Sequence, residues 1–500
     1  MKFRKLISAV IAACIAIPSG IAGTVSALEE PVKGDVNGDT SFNLADVVMY
    51  QRWLNGSGEL KNISNADVNE DGELDIFDLS AMRKMLIECI SSVPTPSYAP
   101  NSRNLCAGIN KSAVEGKEAD EKFIESQMKF TVDMLKATTK QGENIMISPY
   151  SIMQALAMTA NGANGKTLEE MEKVLGNGMS IEELDQYLLA QRKRTINPNE
   201  SEYNKWSMST ANSIWAIDNP YRIQTRPEFI QKCVDYYDSE YYIAPFDDTT
   251  LEDVNGWVNE KTNKMIPSIL NQISDDDVMY LVNAVAFEAE WMRPYDKYEI
   301  ADGKFTAADG TEQEAKMLCS DEVYIGDADT DGMLKYYSGG KYAFAALLPK
   351  EGTSVEQYVT DLTPEKLSNI LGSYKEKYEK AQVKLPKFKC EYGENISDYL
   401  INMGMPTAFN MGDEKADFSN MSSIADVHPI FIGYVVHKTF IDLDENGTKA
   451  AAATLVAMND GEAFEPEDQK KVILDRPFVY CIIDTQTSVP VFIGVLNSLS

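Results

Sequence analysis

The sequence predicts an α+β domain of nearly 400 residues, preceded by a much smaller all-α module. Three observations lead there. From about residue 119, helix-spaced apolar stretches are interleaved with short apolar strand runs. Before residue 91, one acidic twelve-residue pattern occurs twice, each copy followed by a helical stripe. Between the two regions lies a stretch rich in proline and serine.

Length and composition set the frame. Five hundred residues suit two or three domains, and 44% apolar content is ample for a large core. The net charge of −31 argues against nucleic acid or anionic membranes as partners, since both need basic footprints. Residues 1–27 read as a signal peptide: MKFRK is basic, LISAVIAACIAI is apolar but too short to span a bilayer, and VSA offers cleavage after Ala27. The mature chain is therefore expected to be exported and extracellular. It keeps Cys89, Cys106, Cys233, Cys319, Cys390 and Cys481, with no CxxC pair. Buried free thiols are expected, with a Cys89–Cys106 bridge as the alternative.

The acidic repeats come first in chain order. Residues 35–46 read DVNGDTSFNLAD and residues 67–78 read DVNEDGELDIFD, 32 residues apart. Oxygen-bearing side chains fall at positions 1, 3, 5, 9 and 12, a spacing that wraps a hard cation needing six or more oxygens. The first loop offers Asp35, Asn37, Asp39, Asn43 and Asp46; the second offers Asp67, Asn69, Asp71, Asp75 and Asp78. Ser41 and Glu73 fall at position 7, where the backbone carbonyl serves. Two calcium ions are expected, with folding linked to their binding because so short a module has little core. Thr40 stands where the second loop has its turn glycine, Gly72.

Both loops end in Asp and lead into an apolar helix, VVMYQRWLNG or LSAMRKMLIECI. Over residues 34–90 this resembles a dockerin, a calcium-dependent module that plugs proteins into cohesin-bearing scaffolds. The resemblance implies a cohesin partner. It places cohesin contacts at Leu44, Ala45, Ile76 and Phe77, with Arg52, Arg83 and Lys84 on the helices. Residues 91–104, SSVPTPSYAPNSRN, read as an extended tether.

In the large region, EADEKFIESQMKFTVDMLKATT begins a helix, and NIMISPYSIMQALAMTANG reads as strand, turn and buried helix. STANSIWAI, VMYLVNAVAFEAEW, YAFAALLP, AQVKLPKFKCEY, FVYCIIDT and VPVFIGVL read as strands. Catalytic motifs are missing from the sequence: there are two histidines, His428 and His437, and no GxSxG, GxxxxGK[ST], HExxH or GxGxxG. Ser148, ahead of an apolar helix, is expected as a helix cap. No enzyme activity is expected. A scaffold-borne hydrolase is the remaining enzymatic alternative, since paired carboxylates abound.

Six blocks then point to one family: ISPYSIMQALAMTANGANGKTLEEM, WVNEKTNKMIPSIL, LVNAVAFEAEW, VKLPKFK, HKTFIDLDENGTKAAAAT and DRPFVYCIIDTQTSVPVFIGVLN. In that order, over about residues 119–499, they resemble a serpin, with the domain spanning 105–500. The resemblance implies three β-sheets, eight to nine helices and an exposed reactive loop. A serine protease cuts the loop, which then inserts into the central sheet and traps the acylated protease. By motif, Ser148, Ser151, Asn283 and His437 form the shutter beneath that sheet, and Trp291 lies where the loop first enters. The inhibitor domain is expected to be monomeric and to need no cofactor for its chemistry.

The stretch DENGTKAAAATLVAMNDGEAF suits such insertion. Alternate residues face alternate sides of a strand. Counting by twos from Thr448 gives Ala450, Ala452, Thr454, Val456 and Met458, with no charge. Gly447 starts the hinge, and Lys449 falls on the outward face. Family spacing puts the scissile bond at Gly461–Glu462, with other bonds from Met458 to Phe464 open. A small residue there suits elastase-like or subtilisin-like proteases. No Lys or Arg lies between Lys449 and Lys470, which disfavours trypsin-like ones. The alternative is a non-inhibitory serpin serving as a structural component of a cellulosome.

Overall fold

The computed structural model describes residues 32–92 except 40, 43 and 70, and residues 101–499 except 197–203, 274–277, 411, 413 and 449–469. The chain divides into two compact units, with the division between Ala99 and Pro100. The expected signal segment and the reactive-loop positions beyond Thr448 lie outside the described residues.

The first unit holds the helices Leu44–Leu54 and Ile76–Ser92. Its small core gathers Val36, Val47, Tyr50, Leu60, Val68, Leu79 and Met82. Each acidic loop delivers its last aspartate, Asp46 or Asp78, into the first turn of a helix. Of the stretch expected as a tether, Ser92 still ends a helix and residues 103–104 form a strand; residues 93–100 lie outside the described residues.

The second unit contains, among the described residues, nine α-helices and sixteen strands. The strands are β1 (Arg103–Asn104), β2 (Ile145–Ile147), β3 (Trp206–Ile217), β4 (Glu240–Ala244), β5 (Met279–Glu290), β6 (Ile300–Thr306), β7 (Glu312–Gly326) and β8 (Thr330–Tyr336). They continue as β9 (Tyr342–Pro349), β10 (Lys380–Pro386), β11 (Phe388–Asn395), β12 (Tyr434–Leu443), β13 (Gly447–Thr448), β14 (Lys470–Ile473), β15 (Phe478–Asp484) and β16 (Pro490–Leu496). One sheet has the order β1-β4-β3-β5-β13-β12-β11. The other nine strands form a second array. Two of the three expected sheets merge there because β7 is long: it pairs with β6 and β10 early and with β8 late.

AQVKLPKFKCEY proves to be two strands. β10 ends at Pro386 in one sheet and β11 starts at Phe388 in the other. A proline has no N–H to extend a ladder, so the chain changes sheets there.

In β5, Leu281, Val285, Phe287 and Ala289 join the main core, while Tyr280, Val282, Ala284 and Ala286 pack toward Trp257 and Val258 of the helix Asp248–Lys261. Both faces are covered, which explains the nearly continuous apolar run. Among the described residues, Cys106, Cys233, Cys319, Cys390 and Cys481 are free thiols, as expected; nothing is described of the Cys89 side chain.

Candidate functional site

The centre of the seven-stranded sheet is only half closed. β5 and β12 run parallel and pair directly from Tyr280–Tyr434 to Ala284–Lys438. Above that, β13 stands between them: Gly447 opposite Glu290, and Thr448 opposite both Ala289 and Leu443. Gly447 and Thr448, expected as the start of the hinge, thus form a two-residue strand there. Gly447 is required for space, since a Cβ there would lie 2.0 Å from the Ala289 carbonyl oxygen.

Trp291 holds the turn before the hinge. Its indole N–H donates to the Asp444 carbonyl at 2.9 Å, and its backbone N–H donates to Asn446 at 2.8 Å. Its ring stacks on Tyr337 with centroids 4.5 Å apart. The Tyr337 and Thr448 hydroxyls lie 2.6 Å apart, in a site where Thr448 is 1% exposed. Asp444 Oδ1 accepts from the amides of Asn446 and Gly447 at 2.7 and 3.2 Å.

Below the hinge, the four expected shutter residues meet, all fully buried. Ser148 caps the helix Pro149–Ala160 by accepting from the Ser151 amide at 3.2 Å, and its own hydroxyl donates to the Val491 carbonyl at 2.7 Å. Its backbone N–H donates to His437 Nε2 at 3.0 Å. That bond makes Nε2 the acceptor, so Nδ1 carries the proton and donates to Asn283 Oδ1 at 2.7 Å. Asn283 Nδ2 reaches Ser151 Oγ and Asn212 Oδ1, each at 2.6 Å. Burial holds the His437 imidazole neutral, pushing its pKa down to about 3. The His437–Asn283 bond lies across the β5–β12 seam.

In the first unit, the two loops repeat the same wiring. Asp46 Oδ1 accepts from the amides of Val36 and Asn37 at 3.0 and 3.1 Å. Asp78 Oδ1 accepts from Val68 and Asn69 at 2.8 and 3.1 Å. Asn37 accepts from the Asp39 amide and Asn69 from the Asp71 amide. Asp39 and Asp71 likewise hold the amides of Ser41 and Glu73. Asp75 Oδ1 accepts from Phe77 N at 2.7 Å.

Oxygens of Asp35, Asp39 and Asp46 converge within 4.8 Å of one another, and Asp67 Oδ1 is buried without a hydrogen-bond partner. Converging carboxylates and an orphaned acceptor fit a calcium ion. Asn43 lies outside the described residues. Ile76 and Phe77 project at 58% and 67% exposure, and Ala45, Arg52, Arg83 and Lys84 are exposed too; nothing is described of the Leu44 side chain.

Sequence reading missed Tyr337 and Asn212. Neither stands in a recognisable motif; only the fold brings them to the hinge and the shutter.

Comparison with known proteins agrees with this geometry. The family model for serpins (serine protease inhibitors) matches residues 125–499, and that for the type I dockerin domain matches residues 33–87. An uncharacterised serpin-like protein of Thermococcus kodakarensis is 31% identical over 383 residues, covering 76% of this chain and 86% of its own. The leukocyte elastase inhibitor of Bos taurus is 29% identical, covering 76% and 100%. The thermophilic serpin tengpin in its native state superposes with TM-score 0.73 at 41% identity, over 80% of this chain and all of its own. Its latent state gives TM-score 0.66 at 38% identity, over 77% and 100%. The chain belongs to the serpin family and carries an N-terminal type I dockerin domain.

Proposed function

We propose that this serpin is an exported suicide-substrate inhibitor of a serine protease, held on a cohesin-bearing cellulosome scaffold by its dockerin. The observation that carries the inhibitory reading is the placement of Gly447 and Thr448 between β5 and β12. Continuing that register gives each loop residue a defined berth. Lys449 falls between Glu288 and Asp442, which share the half-exposed face. Ala450 falls between Phe287 and Ile441, and Ala452 between Val285 and Thr439. Thr454 falls between Asn283 and His437. Bulky neighbours face the alanines, and the two shutter side chains face a hydroxyl.

The sequence of events follows. The protease attacks the loop, at Gly461–Glu462 by family spacing, and forms an acyl-enzyme. Cleavage frees the loop to extend β13 downward, replacing the direct β5–β12 pairs. A strand of about 14 residues spans roughly 45 Å, which carries the acylated protease that far. Each new residue gains two ladders of hydrogen bonds and buries alternate side chains. Distortion of the trapped protease then outruns deacylation. The protein contributes no catalytic group. The name of the bovine relative, leukocyte elastase inhibitor, supports an elastase-like target.

In the dockerin, Asp35, Asn37, Asp39, Asn43 and Asp46 would hold one calcium ion, and Asp67, Asn69, Asp71, Asp75 and Asp78 a second. Ser41 and Glu73 carbonyls complete the sets. The bound cation screens carboxylates that otherwise repel one another and fixes the helices. Ile76 and Phe77 then form the apolar centre of the cohesin contact, rimmed by Arg52, Arg83 and Lys84.

The test mixes the calcium-loaded chain with elastase-, subtilisin-, chymotrypsin- and trypsin-type proteases, followed by denaturing gels and mass spectrometry. A heat-stable covalent band and a released peptide beginning at Glu462 are expected. Loop cleavage with no covalent band in any mixture refutes trapping and leaves a non-inhibitory serpin. Type I cohesin capture that chelator abolishes tests the dockerin half.

A further inference from the structure

The two halves of the first unit repeat at a spacing of 32 residues, so Tyr50 of one half has Met82 of the other as its counterpart. Both side chains are fully buried in the small core. They differ in one capacity: a phenol donates a hydrogen bond and a thioether cannot. Tyr50 uses that capacity. Its hydroxyl donates to Asp78 Oδ2 at 3.1 Å, across 28 residues of sequence. Met82 can make no such bond to Asp46.

Asp78 closes the second acidic loop at position 12. Its Oδ1 accepts from the Val68 and Asn69 amides, and its Oδ2 also accepts from the Asp75 amide at 3.0 Å. Those three donors belong to the loop itself, whereas Tyr50 comes from the helix Leu44–Leu54 of the other half. A carboxylate held by an outer partner keeps its orientation toward a cation. The second loop needs such help more than the first. Oxygens of Asp35, Asp39 and Asp46 already converge within 4.8 Å, but among the described residues the second loop shows no such trio, and Asp67 Oδ1 there lacks a partner. Tyr50 also lies one helical turn beyond Asp46, on the same face of that helix.

We propose that Tyr50 is a positioning residue for the second calcium site, holding Asp78 for the cation and coupling the first loop to the second. This role rests on the calcium-binding reading of the loops. Filling the first loop fixes Asp46 and the helix it starts. The helix then fixes the Tyr50 hydroxyl, which aims Asp78. The coupling is reciprocal in free energy, so a filled second loop also favours filling of the first. The repeat is therefore symmetric in its ligands and asymmetric in its wiring.

The test is hydrogen exchange of the full chain over a series of calcium concentrations, read separately for residues 35–46 and 67–78. Each loop of the unsubstituted chain should gain protection at its own midpoint. Tyr50→Phe keeps the ring and removes only the hydroxyl. It should raise the midpoint for residues 67–78 about tenfold. The midpoint for residues 35–46 should move about twofold at most. Equal shifts in both loops mean a packing role only and overturn the proposal, as does no shift in either. Loss of protection in both loops at every calcium concentration makes the hydroxyl a requirement of the fold and overturns it too. The coupling has its own readout. Asp39→Asn weakens the first loop and should raise the midpoint for residues 67–78 about fivefold when Tyr50 is present, and leave it unchanged in the Tyr50→Phe chain. The same response in both chains removes the coupling. Calcium that protects neither loop of the unsubstituted chain defeats the calcium-binding reading itself, which separates that failure from a failure of Tyr50.

Discussion

Replacing Thr454 with valine should leave the uncut protein intact and weaken only the inserted form. Seven steps along the loop from Gly447 and seven back along β5 from Glu290 bring Thr454 opposite Asn283. Six steps from Thr448 and six back from Leu443 bring it opposite His437. In the uncut state these two side chains bond each other at 2.7 Å. The entering strand parts them, leaving a buried imidazole Nδ1–H donor and a buried amide oxygen acceptor. The Thr454 hydroxyl can accept from one and donate to the other. Valine has the same shape and neither capacity. Each orphaned group costs about 1–3 kcal/mol, so the inserted form should lose about 2–4 kcal/mol after partial relaxation. The assay is guanidinium unfolding of the loop-cleaved chain beside the uncut chain, with the protease-to-inhibitor stoichiometry on the same samples. Expected are an earlier transition of the cleaved form, an unchanged uncut form, and more loop cut without capture. A cleaved form as resistant as the wild type would refute the register.

Four further outcomes follow from the same geometry. Lys449→Glu places a third carboxylate beside Glu288 and Asp442, and should slow capture several-fold at low salt, an effect that shrinks as salt rises; stopped-flow capture rates read it. His437 has its pKa lowered to about 3 against about 6.5 unfolded, so its contribution is complete above pH 6.5 and is lost as pH falls toward 3; relative to His437→Gln, wild-type stability should drop about 1.4 kcal/mol per pH unit in that window, by denaturant unfolding. Asp185, with its pKa raised to about 6 by burial and only partly offset by Tyr237 and Asn161, has the opposite sign: its native state holds the proton more tightly, so stability falls as pH rises from about 4 to 6. Asp185→Asn should accordingly gain on the wild type over that range, on the order of 2 kcal/mol at pH 7 by thermal unfolding. Chelating calcium should raise hydrogen exchange across residues 35–85 while leaving residues 121–160 unchanged; equal exchange in both regions refutes a metal-dependent fold for the first unit.

Legibility in the sequence followed the physics of each element. The acidic loops were readable because their wiring is local: every backbone amide tied by Asp46 or Asp78 lies within ten residues. Strands β5, β15 and β16 were readable as apolar runs because both faces are covered. Strands β6, β7 and β8 were not. In β7 exposed and buried residues mix, and the Lys and Glu on its open face hide the strand. Ser148 was readable as a cap from its own neighbourhood, yet its bond to His437 spans 289 residues and no local pattern encodes it. The reason for Gly447 was likewise hidden. A hinge glycine suggests freedom, whereas the carbonyl of Ala289 shows that the position admits nothing larger.

The strand head at Gly447–Thr448 has a kinetic meaning. Starting a strand orders residues before neighbours reward it, so initiation is the costly step in any zipper-like assembly. Under the proposed trapping mechanism, that step is complete before a protease arrives. What remains is propagation, opposed mainly by the five residue pairs between Tyr280–Ala284 and Tyr434–Lys438. The rate of trapping is then governed by how fast that seam unzips. The same prepared head offers no discrimination between a cut loop and an intact one, so the uncut polypeptide too is held back by this seam. Speed toward a protease and resistance to spontaneous self-insertion are thus set against each other by one seam.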